Sequence, residues 1–193
     1  MRRILLVCTG NTCRSPMAEA MLKELAGQRG IPLEVRSAGL SAIDGTPISP
    51  NAAQTLTNRN LPLPGGSTAL TDEAVEWADL ILTMTVGHKR TIIGRYPHVS
   101  DKVYTLKEFA AGGEPGAAED LAEAQRIYAD WQVKLALGET LPEADRERLA
   151  ELERKLPDLD IADPFGGPLE VYERSADEIW DALGKTIRRL ETD

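Results

Sequence analysis

The residues best suited to chemistry lie near the start of the chain, in the run Cys-Thr-Gly-Asn-Thr-Cys-Arg-Ser-Pro that begins at Cys8. The thiolate of Cys8 is a nucleophile of the kind used in covalent catalysis. The guanidinium of Arg14 can bind two oxygens of a phosphoryl group at once. We therefore predict that residues 8–15, called the phosphate loop below, hold a phosphate between the sulfur and the guanidinium.

The flanking residues place this loop between a strand and a helix. Residues 3–7 form a short apolar run that predicts a buried strand. Pro16 fits the first turn of a helix, and Met17, Met21 and Leu25 then recur at helical spacing. A strand, a loop and a helix in this order direct the loop N–H groups and the positive helix end at one point. We expect a sulfur at that point to be ionised at neutral pH.

The other loop residues suit the same task. Gly10 allows close backbone approach, Asn11 tolerates the left-handed conformation, and Ser15 could donate a hydrogen bond to the sulfur. The predicted phosphate-binding residues are Thr9, Gly10, Asn11, Thr12, Cys13, Arg14 and Ser15.

The run resembles the phosphate loop of the low-molecular-weight protein phosphatases, a cysteine-dependent family usually described as tyrosine phosphatases. The resemblance extends to Arg-Ser-Ala-Gly at residues 36–39 and Asp-Pro-Phe-Gly-Gly at residues 163–167, so it covers most of the chain apart from one insertion. It implies a two-step reaction without a cofactor or a metal. Cys8 takes the phosphoryl group, and water then releases phosphate from the phosphocysteine.

The resemblance also implies roles for residues outside the loop. Asp163 would be the general acid and then the general base, although an Asp-Pro pair alone is also typical of a turn. Ser37 would brace Asn11, or it is an ordinary serine at a strand end. Many family members carry a histidine where this chain has Gly65 or Gly66, so the remaining support of Asn11 stays open.

Composition bounds the class of protein. The chain of 193 residues is 42% hydrophobic and 27% charged, as expected for a single domain over residues 1–193. A net charge of −9 argues against nucleic acid as a partner, and no apolar run is long enough to span a membrane. Two cysteines and no signal peptide predict a reduced protein in the cytoplasm. The expected partners are phosphorylated proteins, and the oligomeric state is left open.

Alternating strands and helices predict an α/β fold, a three-layer doubly wound sandwich with a central four-stranded parallel sheet. Ser175 is predicted to open the last helix in a capping box, with Ile179, Leu183, Ile187 and Leu190 as its apolar stripe. His88 is expected on a solvated helix face. His88 and His98 are the only histidines, and neither has metal-ligand spacing from a cysteine pair, so no metal site is predicted.

Residues 113–160 are predicted to form a helical hairpin inserted just before Asp163. The apolar positions that indicate it are Leu121, Tyr128, Trp131 and Leu135, and then Leu149, Leu152 and Leu156. Our hypothesis is that the hairpin gates access to the site. A docking surface, a dimer contact and a decoration without a role are the alternatives.

Two residues bear on the substrate. Thr12 would line the pocket wall with a methyl and a hydroxyl where tyrosine phosphatases commonly carry a bulkier aliphatic residue, and Phe165 would stack on a planar group. The closest resemblance is to bacterial protein-arginine phosphatases, so we expect phosphoarginine as the substrate, with phosphotyrosine as the alternative.

Two other functions fit this sequence less well. Arsenate reduction would need further cysteines, and a non-catalytic phosphate-binding module would not need both Cys8 and Asp163. Cys13 is either a redox partner of Cys8 or a small core residue.

The gating hypothesis makes a testable prediction. Deletion of residues 114–157 should change kcat/KM for a phosphorylated protein, because a gate controls which substrates reach the site. An unchanged kcat/KM in steady-state assays of the deleted and full-length chains would exclude the hypothesis.

Overall fold

Strand β1 (Arg2–Cys8) lies inside the sheet and is buried on both faces. Its side chains alternate between two hydrophobic clusters: Ile4, Leu6 and Cys8 belong to one, and Leu5 and Val7 to the other. A parallel strand that is apolar at successive positions is typical of a sheet covered on both faces. The alternation therefore places Cys8 on one defined face of the sheet.

The computed structural model describes residues 2–112, 117–155 and 157–192. It divides the chain into two units, one formed by Met1–Ala111 with Leu159–Asp193 and the other by Gly112–Asp158. Within the described residues, we find no helix whose length and apolar character would allow it to cross a membrane.

The sheet has four parallel strands in the order β2 (Leu33–Gly39), β1, β3 (Leu80–Thr83) and β4 (Val103–Thr105). The predicted α/β sandwich with a parallel four-stranded sheet is confirmed. The register pairs Cys8 with Gly39, so the carboxyl ends of β1 and β2 meet at one edge. Ligands of such sheets collect at this edge.

Helices cover both faces of the sheet. The cluster that contains Cys8 packs against α1 (Arg14–Arg29), α2 (Pro50–Asn58), α5 (Leu106–Ala111) and α8 (Leu169–Thr192). The opposite cluster packs against α3 (Asp72–Trp77), α4 (Val86–Arg95) and a short 3-10 helix (Pro97–Lys102).

The helix starts follow from local chemistry. Ser49, Thr71 and Thr85 precede α2, α3 and α4, and each side-chain oxygen accepts a backbone N–H of the first turn. Gly30 ends α1 in the left-handed conformation, with φ at 64°. The sequence predicts the caps at Ser49 and Thr71 and the end of α1 near Gly30.

The predicted start of the last helix is wrong. Helix α8 begins at Leu169, and Ser175 lies inside it. The Ser175 hydroxyl donates to the carbonyl of Ala162 at 3.0 Å instead of capping a helix. The capping signal misleads because the serine serves a tertiary contact, while the predicted stripe from Ile179 to Leu190 is buried.

Among its described residues, the second unit contains two helices, α6 (Ala117–Ala136) and α7 (Glu143–Lys155). Their buried cluster consists of Ala124, Ile127, Leu141, Leu149 and Leu152, with Tyr128 packed against it. Trp131 and Leu135 are exposed, which contradicts their places in the predicted apolar stripe, because both follow Tyr128, the last residue of α6 that packs against this cluster. The side chain of Leu121 and residue Leu156, both part of that pattern, lie outside the described residues.

Gly39 links the sheet to the phosphate loop and supplies a prediction. A Cβ at Gly39 would lie 2.7 Å from the carbonyl oxygen of Thr9 and 2.9 Å from the backbone nitrogen of Asn11. Gly39→Ala should therefore displace the loop backbone, at a cost of about 1–3 kcal/mol. We expect a lower Tm and weaker protection of the sulfur by phosphate against a thiol reagent.

The matched control is Gly27→Ala. A Cβ at Gly27, inside α1, meets no atom within 4 Å. The control should gain about 0.5–1 kcal/mol of stability, because alanine is the better helix former. If Gly39→Ala kept the wild-type Tm and phosphate protection, the steric argument would be wrong.

Candidate active site

The phosphate loop surrounds the sulfur of Cys8 with hydrogen-bond donors. The backbone N–H of Asn11 donates to Cys8 Sγ at 3.3 Å, and Ser15 Oγ lies 2.9 Å from the sulfur. Asn11 Nδ2 also donates to Ser15 Oγ at 2.8 Å, so the single serine hydrogen is shared between the sulfur at 2.9 Å and the more distant carbonyl of Ala38 at 3.5 Å. Two hydrogen-bond donors are therefore directed at the one sulfur.

Asn11 holds this arrangement in place. Its backbone is left-handed, with φ at 54°, as the sequence predicts. Its Nδ2 donates to Ser37 Oγ at 2.9 Å, and its Oδ1 accepts the backbone N–H of Thr68 at 2.8 Å. The predicted contact with Ser37 is therefore present, and a backbone amide just beyond Gly65 and Gly66 supplies the remaining support.

Sequence reasoning missed the next member of this chain of hydrogen bonds. Ser37 Oγ donates to Glu19 Oε2 at 2.6 Å, and Glu19 also pairs with Lys23. Glu19 follows Ser15 by four residues in α1, so both lie on the face that turns towards β2. This spacing is the signal that could have identified Glu19.

Arg14 is the buried charge of the site. Its side chain is 6% exposed, and its Nη2 lies 3.1 Å from Oδ2 of Asp163, which is 57% exposed. Its Nη1 donates to the carbonyl of Ile161 at 3.1 Å. Because a buried charge without partners is costly, these contacts explain how the guanidinium is tolerated. The fold thus brings the two predicted catalytic residues together.

The segment before Asp163 is anchored to the core. The anchoring hydrogen bonds run from the Ile161 N–H to Met84 O at 2.8 Å, from the Val86 N–H to Asp160 Oδ1 at 2.7 Å, and from the Ser175 hydroxyl to Ala162 O. The backbone N–H of Phe165 donates to Asp163 Oδ1 at 3.2 Å. These hydrogen bonds fix the backbone that carries the carboxyl group of Asp163.

A cavity of about 280 Å³ lies at this point. Its lining consists of Cys8, Thr9, Gly10, Thr12, Cys13, Arg14, Asp163 and Phe165. Asn11 and Ser15 are buried and contact the sulfur instead of lining the cavity. The predicted nucleophile, guanidinium, carboxyl group and specificity residues therefore share one pocket.

Cys13 contacts hydroxyl groups. Its sulfur lies 3.4 Å from Ser49 Oγ and 3.4 Å from the hydroxyl of Tyr172. Burial and the adjacent Cys13 raise the pKa of Tyr172, so its phenol stays protonated. Cys8 and Cys13 are both free thiols, and a disulfide between them stays a prediction.

The expectation for His88 is wrong. His88 is only 8% exposed, and its Nε2 lies 2.9 Å from Thr9 Oγ1. Burial and the nearby Arg14 lower the pKa of His88 to about 4, against the opposing effect of Asp160 and Asp163. Charged neighbours in the sequence suggest a solvated face, but this part of α4 turns towards the phosphate loop.

A sequence profile of the low molecular weight phosphotyrosine protein phosphatases matches residues 3–124. The chain belongs to this family. A protein-arginine-phosphatase of Geobacillus stearothermophilus is 35% identical over 193 residues, which cover 99% of this chain and 97% of the relative. The low molecular weight protein-tyrosine-phosphatase PtpB of Staphylococcus haemolyticus is 30% identical over 183 residues, covering 95% of this chain and 96% of the relative.

A solved structure points to the chemistry of the family. It is a cysteine-to-serine mutant of the arginine phosphatase YwlE with a phosphorylated active-site serine. It matches this phosphatase with a TM-score of 0.73 and 32% identity, and covers 99% of this chain and 97% of that one. A phosphorylated serine in place of a cysteine indicates that catalysis is cysteine-based.

The buried histidine of this phosphatase makes stability depend on pH. In the unfolded chain His88 takes up a proton near its ordinary pKa of 6.5, whereas the folded protein does so only near 4. Between these values the unfolded state binds more protons, so stability falls as the pH is lowered. The Tm of the wild type should therefore fall, relative to that of His88→Gln, between about pH 6.5 and pH 4, and thermal denaturation at stepped pH measures it.

The Tm difference between the wild type and His88→Gln should be constant above about pH 6.5, where the imidazole is neutral in both the folded and the unfolded chain. A Tm difference that stays the same down to pH 4 would show that His88 is not held neutral by burial.

Proposed function

We propose that this phosphatase hydrolyses phosphoarginine in proteins, with Cys8 as the nucleophile, Arg14 as the phosphate clamp and Asp163 as the acid and base. The observation that carries the proposal is the cavity in which these three residues lie beside Thr12. The relative of Geobacillus stearothermophilus, named a protein-arginine-phosphatase, supports the choice of substrate.

In the first step Cys8 Sγ attacks phosphorus, an S–P bond forms and the P–N bond breaks. The loop N–H groups and Arg14 stabilise the phosphoryl oxygens during transfer. Asp163 gives its proton to the departing nitrogen, so the arginine leaves as a stable guanidinium. The pairing of Asp163 with Arg14 at 3.1 Å supports this role, because it places the carboxyl group beside the phosphate clamp.

In the second step water attacks phosphorus and the S–P bond breaks. The carboxylate of Asp163 takes a proton from the water. The two donors at the sulfur, the Asn11 N–H and the Ser15 hydroxyl, stabilise the departing thiolate. The sulfur attacks phosphorus from one side in the first step, and water attacks from the opposite side in the second. The same residues can therefore serve both steps.

The preference for phosphoarginine rests on the cavity wall. Thr12 presents a short side chain with a methyl and a hydroxyl, and the hydroxyl can accept a hydrogen bond from a guanidino N–H, which a phenol ring lacks. The carboxyl group of Asp163 can hydrogen-bond the guanidino group that it protonates, and the exposed ring of Phe165 can stack on that group. Phosphotyrosine remains the second candidate, because PtpB of Staphylococcus haemolyticus is named a protein-tyrosine-phosphatase.

The expected partners are phosphorylated proteins, in line with the named activities of the relatives. We place the enzyme in the cytoplasm, since its two cysteines are free and a reducing compartment keeps a nucleophilic thiol active.

The substrate is tested by steady-state assays on phosphoarginine and phosphotyrosine. We expect a higher kcat/KM for phosphoarginine in the wild type. Thr12→Ile should reduce that preference by about tenfold or more, because it replaces the hydroxyl by an ethyl group, and a change of one methylene in a pocket is worth about 1–3 kcal/mol. A wild type that prefers phosphotyrosine, with no effect of Thr12→Ile, would contradict the proposal.

Two control variants belong to this assay. Cys8→Ser should abolish turnover of both substrates, which separates the enzyme from a phosphate-binding module. Thr12→Ser keeps the wall short and should retain the wild-type preference.

A further inference from the structure

The contact between His88 and Thr9 joins a buried side chain to an exposed one. Thr9 is exposed and lines the cavity, whereas His88 is buried beneath it. Their side chains meet at 2.9 Å, between His88 Nε2 and Thr9 Oγ1. An exposed threonine needs no buried partner, since water satisfies its hydroxyl. The contact therefore constrains the direction of that hydroxyl.

The surroundings of the ring decide which atom donates. Among the described residues, His88 Nδ1 has no hydrogen-bond partner, although it is buried. A proton on Nδ1 would leave a buried N–H donor without an acceptor, and orphaned donors are rarer in proteins than under-used acceptors. The proton therefore belongs on Nε2, which donates to Thr9 Oγ1. The threonine oxygen accepts this bond, and its own hydrogen is free to point elsewhere.

The charge of the ring agrees with this assignment. The charged groups that act on His88 are Arg14, Asp160 and Asp163, and burial together with Arg14 outweighs the two carboxylates. The imidazole is therefore neutral, with a single N–H. An imidazolium would place a second buried cation near Arg14, whose guanidinium is already committed to Ile161 and Asp163.

We propose that His88 is a positioning residue that turns the Thr9 hydroxyl into a donor to a phosphoryl oxygen. The inference rests on the proposed phosphatase function and adds to it one side-chain donor, supplied by the first residue after the nucleophile. The backbone N–H groups of the phosphate loop point to the oxygens from the loop itself. The Thr9 hydroxyl adds a neutral donor at the cavity wall, and a donor held in advance needs no reorientation as charge develops on the oxygens.

The test is a double-mutant cycle on Thr9 and His88. Thr9→Val removes the hydroxyl from an exposed position with little change in shape, and His88→Leu removes the ring N–H. Each single variant should lower kcat by about a hundredfold, the lower range for loss of one donor to a developing anion. If His88 acts through Thr9, the double variant should lose no more than Thr9→Val alone.

Two conservative variants distinguish positioning from general packing. His88→Gln carries an amide N–H about as far from the backbone as Nε2 and should restore most of the activity lost in His88→Leu. Thr9→Ser keeps the hydroxyl and should stay within a few fold of the wild type. A His88 that only filled space would give the opposite result, with His88→Leu the milder change and no rescue by glutamine.

The same cycle is measured on binding of inorganic phosphate, as protection of Cys8 from a thiol reagent. Protection by phosphate does not require turnover. A wild type that hydrolyses neither substrate would refute the proposed function. The double-mutant cycle on phosphate binding would still test whether the Thr9 hydroxyl is a donor. Thr9→Val with wild-type phosphate affinity and kcat, or losses that add in the double variant, would overturn the inference.

Discussion

The left-handed conformation of Asn11 is the constraint on which the active site depends. With φ at 54°, the backbone turns the N–H of Asn11 towards the Cys8 sulfur, three residues earlier in the loop. A residue other than glycine pays about 1–2 kcal/mol for it. The side chain offsets this cost through hydrogen bonds to Ser15, Ser37 and the Thr68 amide. Helix α1, strand β2 and the segment before α3 therefore all hold the phosphate loop in shape.

An ion pair at the phosphate loop links an N-terminal segment of the chain to a C-terminal one. Arg14 is buried at the start of α1, and Asp163 stands on the segment that precedes α8. Without a phosphate in the cavity, the carboxylate compensates the guanidinium. In the proposed mechanism, a phosphoryl group that binds Arg14 competes with Asp163 for the same donors. The proposal therefore couples substrate binding to the carboxyl group that it assigns as acid and base.

The supporting residues show that the site extends well beyond the cavity. Glu19 and Ser37 support Asn11 from behind the loop, and Ser175 holds the backbone before Asp163. His88 contacts the loop from α4. None of these side chains lines the cavity. Glu19 and Ser37 act on it through Asn11, which contacts the Cys8 sulfur, while His88 contacts Thr9 and Ser175 holds the residue before Asp163. The unit of Gly112–Asp158 has a hydrophobic cluster of its own, and its part in substrate access stays a prediction.

The sequence by itself determined the parts of this protein that depend on neighbouring residues. The run from Cys8 to Pro16 indicates the loop and its chemistry, and apolar runs separated by helices indicate a parallel sheet. The caps at Ser49 and Thr71 can be predicted because a cap involves only the first turn of its helix.

Only the tertiary structure decided which side chains face each other across separate elements. It turned His88 inward, placed Ser175 inside α8, and supplied the Thr68 amide as the support of Asn11 that the sequence left open. Local patterns report whether a residue suits a helix, a strand or a cap. They do not report which element packs above it, because those contacts arise only when distant segments meet in the folded core.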